Sequence, residues 1–319
     1  MMDRRILVII NRLGGRGFAR RAHRVAAEML SRAGLEHEIL ATRSMREIRR
    51  AAASAAERGF TEITCIGGDG TVGMITNQVA GMDIVISLVP GGTGNILAKH
   101  LNVPLRLRAA LRIVIASEYV IDLDCIERDN RLHVLNLSMG LSSLAMTDVD
   151  GRMKRLLGTT AYFFVVLGHL ARRGPARFRV VADGRVRRVR GRELLLTNAG
   201  FSKTALAPLF SDSRPDDGRL ELSIFHLSGG RGLLGMLYDV VFHGNRYRDR
   251  YLQRLHVTES IHISSDPDLP VQADGDGVGV GSVTARLRRA AVRVRVPDPK
   301  LTIIDWAIAE ISPIRAAER

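Results

Sequence analysis

The chain has little cysteine and few aromatic side chains. Only two of its 319 residues are cysteine, and 5% are aromatic, with a single tryptophan. Two cysteines cannot build a disulfide framework. Because Cys65 and Cys125 both stand in apolar runs, we expect buried, reduced thiols. Aromatics are too scarce among the basic residues for the base stacking that single-stranded nucleic acid uses, so we expect no nucleic-acid partner.

Long hydrophobic runs are also missing. No stretch approaches the ~20 apolar residues of a membrane span, and the longest candidate, 161–170, is interrupted by Gly168 and His169. The apolar run after Arg5 stops at Asn11 and is too short for a secretory signal. We therefore expect a cytoplasmic protein that contacts membranes only peripherally, at the inner face.

Acidic side chains are in the minority, with 33 Asp and Glu against 47 Lys and Arg, which gives a formal charge of +14. Arginines gather in 172–192 and in 286–295, where they alternate with apolar residues. Such alternation predicts an antiparallel sheet with one apolar and one cationic face. A solvated surface explains that face, and so does attraction to anionic lipid headgroups, which would make an anionic membrane a partner.

Several nucleotide-binding signatures are absent. The chain has no Walker A pattern and no H-R-D or D-F-G kinase motif, and its first glycine-rich corner is not G-x-G-x-x-G. It has instead two glycine-rich corners, Gly67–Thr71 (GGDGT) and Pro90–Asn95 (PGGTGN), each after an apolar run. Glycines let the backbone approach a ligand closely, and the following helix N-terminus favours an anion. The pair predicts a polyphosphate site rather than two plain turns, with Asp69 within reach of Mg²⁺.

The order of elements predicts two domains. Strands and helices alternate up to residue 116, which predicts a doubly wound parallel sheet in an α/β N-terminal domain. Beyond residue 120, short strands with frequent turns predict a mainly antiparallel, sandwich-like β domain with helices near 153–171 and 232–247. We place the domains at 1–122 and 123–299, expect residues 300–319 to pack back on the first, and expect the active site in the interdomain cleft.

The two corners carry a family resemblance. GGDGT resembles the signature shared by diacylglycerol kinases, sphingosine kinases, NAD kinases and 6-phosphofructokinases. PGGTGN resembles an element of the diacylglycerol kinase catalytic domain that NAD kinases lack. With both motifs together, the chain resembles the bacterial diacylglycerol kinase-like soluble lipid kinases. Asn136–Gly140, Asp217–Leu220 and Gln272–Asp276 also resemble motifs of that family.

The resemblance implies ATP- and Mg²⁺-dependent transfer of a γ-phosphoryl group to a lipid hydroxyl, with diacylglycerol giving phosphatidic acid as the first expectation. It implies Asp69 as the Mg²⁺ ligand and catalytic carboxylate, Asp274 as the proton acceptor, and Asp276 as its partner. It further implies a structural Mg²⁺ at Asp217 with the carbonyls of Arg214 and Arg219. The nucleotide-binding residues that it implies are Asn11, Thr42, Gly67, Gly68, Asp69, Gly70, Thr71, Gly91, Gly92, Thr93 and Asn95.

The chain departs from the family pattern at four positions. Arg12 replaces the usual Pro, Gly73 an Asn, Ile96 an Asp, and Asp276 a Glu. The last two keep open a noncatalytic nucleotide- or lipid-binding regulator. A sphingoid base, a polyprenol or NAD as acceptor, and a homodimer, also stay open. Taken alone, Asp274–Gly277 is more typical of an exposed hairpin tip, and only the family resemblance favours a catalytic role.

Overall fold

The structure is a computed structural model. It describes residues 4–12, 16–148, 174–199, 214–226, 232, 235, 238 and 251–300. The predicted helices near 153–171 and 232–247 and the predicted return of residues 300–319 fall outside this part, apart from residues 232, 235, 238 and 300. The chain divides into two compact units, Met1–Leu123 with Ala290–Arg319, and Asp124–Arg289.

The first unit alternates strands and helices. Its elements are β1 (Arg5–Asn11), α1 (Arg16–Arg32), β2 (Glu36–Thr42), α2 (Met45–Ala53), β3 (Glu62–Gly67), α3 (Asp69–Val79), β4 (Val85–Pro90), α4 (Ile96–His100) and α5 (Leu107–Ala116). Sequence periodicity predicts the second helix over 44–58, but α2 is shorter. Tight turns such as the Ala55 N–H bonded to the Ala52 carbonyl replace its last part.

The sheet of the first unit runs in the order β2-β1-β3-β4, and every neighbouring pair is parallel. The predicted doubly wound sheet is therefore confirmed. Ile6–Ile10 in β1 are fully buried, as expected for a parallel strand covered on both faces. The order changes direction between β1 and β3, and ligands of such sheets bind at the carboxyl ends of the strands at that point.

A buried charge cluster holds this sheet together. The Glu62 side chain is 2% exposed and receives Nη2 of Arg4 and Nη2 of Arg295, each at 2.8 Å, while the Ser87 hydroxyl donates to its other oxygen. Arg295 belongs to the arginines that the sequence pattern placed on a cationic face, and for this residue the prediction is wrong because Glu62 pairs with it in the interior. Removing Glu62 would leave the buried charge of Arg295 without its carboxylate, at a cost of about 3–5 kcal/mol.

The second unit is built from antiparallel strands. Its elements, two of which extend into the first unit, are β5 (Val120–Arg128), β6 (Arg131–His133), β7 (Asn136–Gly140), α6 (Leu141–Asp148), β8 (Ala176–Ala182), β9 (Arg185–Gly191), β10 (Glu193–Thr197), β11 (Leu220–Phe225), β12 (Leu252–Val257), β13 (Ser260–Asp266), β14 (Pro270–Ala273), β15 (Asp276–Val280) and β16 (Ser282–Arg295). One sheet has the order β12-β11-β10-β7-β14-β15, and a second contains β16-β13-β8-β9.

Both sheets of the second unit contribute to one hydrophobic core, in which Phe178 and Ile263 join Leu196 and Met139. The predicted sandwich-like β domain is therefore confirmed. Along β8, the residues alternate between the core and an exposed face that carries Arg177 and Arg179. The predicted cationic face is present on this strand.

Both cysteines are buried and free, as predicted. Burial raises the pKa of the Cys65 thiol to about 12, with a smaller contribution from the Asp69 charge. Burial likewise raises the pKa of Cys125. Neither thiol is therefore ionised at neutral pH. Among the described residues, no helix is long and apolar enough to cross a membrane.

Candidate active site

The two glycine-rich corners lie against each other in the first unit. A Cβ atom added to Gly92 would lie 2.6 Å from Gly68 Cα, and one added to Gly68 would lie 3.1 Å from Gly92 Cα. The N–H of Gly91 donates to the carbonyl of Gly67 at 2.8 Å. Only residues without side chains allow so close an approach of two backbones. The structure thus brings together the two motifs that the sequence singled out.

Asn95 shapes the second corner from inside. Its backbone has φ +48°, its Oδ1 accepts the N–H of Gly92 at 3.0 Å, and its Nδ2 donates to the Gly92 carbonyl at 2.7 Å. The side chain is buried. Asn95, predicted to contact nucleotide, therefore has its polar atoms engaged with the loop, while the neighbouring Thr93 is exposed.

Asp69 links the first corner to the helix after the second. It is the first residue of α3, and its Oδ1 accepts the N–H of Leu97 in α4 at 3.1 Å. Its Oδ2 lies beside Gly94, where a Cβ would approach it to 3.0 Å. One oxygen thus fixes the carboxylate while the other lies beside the glycine loop. Asp69 is half-buried, and carboxylate oxygens are the hard ligands that Mg²⁺ prefers.

Asn11 ends β1 and meets the first corner. Its Nδ2 donates to Thr71 Oγ1 at 2.8 Å, so the carboxyl ends of β1 and β3 are joined where the strand order changes direction. Thr42 lies at the end of β2, and its hydroxyl accepts the N–H of Ser44 at 2.9 Å. A groove of about 300 Å³ at the ends of these strands is lined by Arg12, Ala19, Arg20, His23 and Ala41.

The second unit contains the other predicted carboxylates, on a tight turn. Asp274 has φ +49° and Gly275 has φ +93°, while Ala273 pairs with Asp276 across the hairpin. Two consecutive positive φ angles are typical of the two-residue turns that connect hairpins. The hairpin interpretation left open by the sequence thus describes the backbone correctly. Asp276 itself is exposed.

The carboxylate of Asp274 is anchored by the chain between β6 and β7. Its Oδ2 accepts the N–H of Val134 at 2.8 Å, and its Oδ1 accepts those of Leu135 and Asn136 at 2.9 and 3.0 Å. Burial raises the pKa of Asp274, and the three N–H groups oppose that shift. His133 Nδ1 lies 3.9 Å from Oδ2, and burial lowers the pKa of this imidazole.

The predicted structural metal site falls on the turn before β11. Asp217 is exposed, and its Oδ1 accepts the N–H of Arg219 at 3.1 Å. Asp124, which the sequence did not single out, accepts the N–H of Gly218 at 2.7 Å. In the part of the chain that the structure describes, no group of three or more His, Cys, Asp or Glu could hold a metal. A metal here would therefore depend on carbonyl oxygens, such as the predicted one of Arg214.

Known proteins resemble the chain over most of its length. A diacylglycerol kinase from Mycobacterium tuberculosis is 27% identical over 280 residues, which cover 85% of this chain and 88% of that protein. One from Bacillus subtilis is 30% identical, covering 69% and 73%. A crystal structure of a diacylglycerol kinase from Bacillus anthracis superposes with a TM-score of 0.76 at 20% identity, over 94% of this chain and all of the other, which supports the fold.

Two family models match in sequence order. The diacylglycerol kinase catalytic domain matches residues 5–126, and the YegS C-terminal NAD kinase beta sandwich-like domain matches residues 136–296. The first match contains both glycine-rich corners, and the second contains the Asp274–Asp276 turn. The chain therefore belongs to the diacylglycerol kinase-like lipid kinase family, and it is a kinase.

Proposed function

We propose that the protein transfers the γ-phosphoryl group of ATP, with Mg²⁺, to a lipid hydroxyl, with diacylglycerol as acceptor and phosphatidic acid as product. The observation that supports this most directly is the backbone contact between Gly68 and Gly92, which brings two anion-binding corners side by side. Phosphoryl transfer depends on positioning and charge neutralisation more than on covalent chemistry by the protein. Two corners on neighbouring strands suit an extended polyphosphate better than one corner does.

In this proposal the backbone holds the nucleotide phosphates. α3 starts at Asp69, inside the first corner, and the N-terminus of a helix favours a bound anion. Gly70 and Thr93 are exposed, and we assign both to the phosphate contacts. Mg²⁺ supplies neutralisation of phosphate charge, and Asp69 is the residue that would hold it through Oδ2. The hydroxyl of Thr71 accepts a hydrogen bond from Asn11, and this bond keeps the end of β1 beside the first corner.

The acceptor hydroxyl must lose a proton when its oxygen bonds to the γ-phosphorus and the bond to the departing ADP oxygen breaks. The sequence-based prediction gave that proton to Asp274. The three N–H groups on its carboxylate suit Asp274 better to holding the turn. Asp276 is exposed on the same turn, so we propose Asp276 as the proton acceptor and Asp274 as its anchor.

A membrane partner is part of the proposal. Pairing of β8 with β9 sets Arg177 opposite Arg190 and Arg179 opposite Arg188, and all four side chains are exposed. Like charges directly opposite each other destabilise an antiparallel pair. Asp266 of β13 pairs with Arg177 across the ladder, and its Oδ2 lies 3.9 Å from Nη1 of that arginine. An anionic lipid surface would offset the repulsion, at about 1 kcal/mol per basic residue.

The decisive experiment supplies γ-labelled ATP and Mg²⁺ with diacylglycerol, sphingosine, undecaprenol or NAD, and follows the label. We expect labelled phosphatidic acid from the wild type and almost none from Asp69→Asn or Asp276→Asn. Label on NAD would contradict a lipid acceptor. Binding of ATP without transfer to any acceptor would contradict catalysis and favour the regulator that Asp276 and Ile96 keep open.

A further inference from the structure

Gln272 connects the Asp274–Asp276 turn to the interior of the second unit. The residue is 7% exposed. Its Oε1 accepts the N–H of Gly275 at 2.8 Å, and its Nε2 donates to Asn136 Oδ1 at 3.1 Å and to Ser138 Oγ at 2.8 Å. Both ends of the amide are thus engaged, one with the turn and the other with β7.

The backbone ladder that leads into this turn is irregular. Val271 pairs with Gly279, but Gln272 pairs with Gly277, so the register shifts between these two residues and Val278 is the extra residue of a bulge. Bulges interrupt the ladder and bend the strand. Asp276 lies between the bulged Val278 and Gly275, so the bond from Gly275 to Gln272 holds the turn on the side of Asp276 that faces away from the bulge.

The polar contacts continue beyond Gln272 into the interior. Ser138 Oγ lies 2.6 Å from Ser142 Oγ and 3.2 Å from Ser143 Oγ, and the N–H of Ser142 donates to Glu193 Oε2 at 2.9 Å. Ser138 is fully buried and Glu193 is 8% exposed. Since buried polar groups are costly to leave unpaired, each member of this chain opposes rotation of the next.

We propose that Gln272 is a positioning residue for phosphoryl transfer, which holds the Gly275 peptide and thereby directs the Asp276 carboxylate. This inference rests on the proposed function, in which Asp276 accepts the proton. The turn has two anchors with separate tasks. Asp274 fixes its first half to the N–H groups of 134–136, and Gln272 fixes its second half, which leads into Asp276.

The test replaces Gln272 with Met, which has similar length but cannot hydrogen-bond to Gly275. A displaced catalytic group costs up to about 10²-fold in rate, so kcat should fall by about 10-fold to 10²-fold while KM for ATP stays unchanged. In the same variant, the amide proton of Gly275 should exchange with solvent faster than in the wild type, as measured by NMR.

The matched control is Ser223→Ala on the same sheet. Ser223 is fully buried and its hydroxyl donates to Glu221 at 3.1 Å, so this variant loses a buried hydrogen bond that does not reach the turn. We expect Ser223→Ala and Gln272→Met to lower the Tm by similar amounts, whereas Ser223→Ala should leave kcat unchanged. If Gly275 exchanges faster in Gln272→Met while kcat stays at the wild-type value, the positioning role is refuted. A wild type that transfers no phosphoryl group would instead overturn the proposed function, and this inference with it.

Discussion

In the first unit the candidate phosphate site is made of backbone, whereas in the second unit the candidate acceptor carboxylates depend on side chains. Because Gly68 and Gly92 lack side chains, their backbones can lie against each other. The residues next to them in the sequence complete the candidate phosphate site. Asp274 functions through N–H groups that lie up to 140 residues away in sequence. A backbone site is robust to side-chain chemistry but intolerant of added volume. A side-chain site fails when one of its polar partners is lost.

The largest expected effect separates the two carboxylates of the turn. Asp276→Asn removes the proposed proton acceptor, and general-base catalysis contributes about 10²–10⁴-fold. We expect kcat to fall by about that factor, while the Kd for ATP and the Tm stay at wild-type values, because Asp276 is exposed. Rate assays beside ATP titration and thermal denaturation check this. Full activity in Asp276→Asn would return the base role to Asp274.

Asp274→Asn is the complementary variant. It replaces a carboxylate that accepts three N–H groups by an amide that has only one acceptor oxygen. Leaving buried N–H groups unpaired costs about 1–3 kcal/mol each, so we expect a lower Tm together with lower activity. An unchanged Tm would show that the anchor contributes no stability.

The next largest effect tests the backbone site. Gly92→Ala places a Cβ 2.6 Å from Gly68 Cα, and such overpacking costs about 1–3 kcal/mol. Because the corners must separate, we expect ATP-dependent transfer to fall by about 10²-fold. Gly17→Ala is the control, since nothing lies within 4 Å of the added atom. Equal effects of the two substitutions on stability and activity would argue against the close contact.

A pH series tests the buried network of the second unit. Burial raises the pKa of Glu193 to about 7 against the hydrogen bonds from Ser142, so the folded state keeps a proton that the unfolded state releases at a pH near 4.5. Stability is therefore full below that value and declines as pH rises toward 7, by about 3 kcal/mol. Glu193→Gln resembles the protonated acid and should remove most of this decline in urea denaturation between pH 5 and pH 8. A parallel decline in both proteins would contradict the assignment.

The smallest effect concerns the arginines of β8 and β9. Arg179→Gln with Arg188→Gln removes one like-charge pair, which should stabilise the fold by about 0.2–1 kcal/mol. The same variant should bind phosphatidylglycerol vesicles less tightly at low salt, and both proteins should dissociate as salt rises. The exposed Arg46 and Arg49 of α2 provide a control pair. Vesicle binding that survives high salt, or that the control pair weakens equally, would exclude this face.

The sequence predicts the backbone features of the first unit better than the side-chain network of the second. The alternating elements, the parallel sheet and both corners depend on neighbours along the chain, so periodicity and glycine spacing suffice. Pairing of Glu62 with Arg295 joins residues 233 positions apart, and no local pattern announces it. The motif places Gln272 beside the turn but gives it no role, and only the packed structure connects Glu193, through Ser142 and Ser138, to Gln272.

The central claim is that both corners bind one polyphosphate, and hydrogen–deuterium exchange with and without Mg²⁺ and ATP tests it directly. We predict that ATP slows exchange in peptides covering 66–73 and 90–97 together, whereas peptides within α1 exchange at the same rate. Protection of neither corner, or of only one of them, would contradict the account.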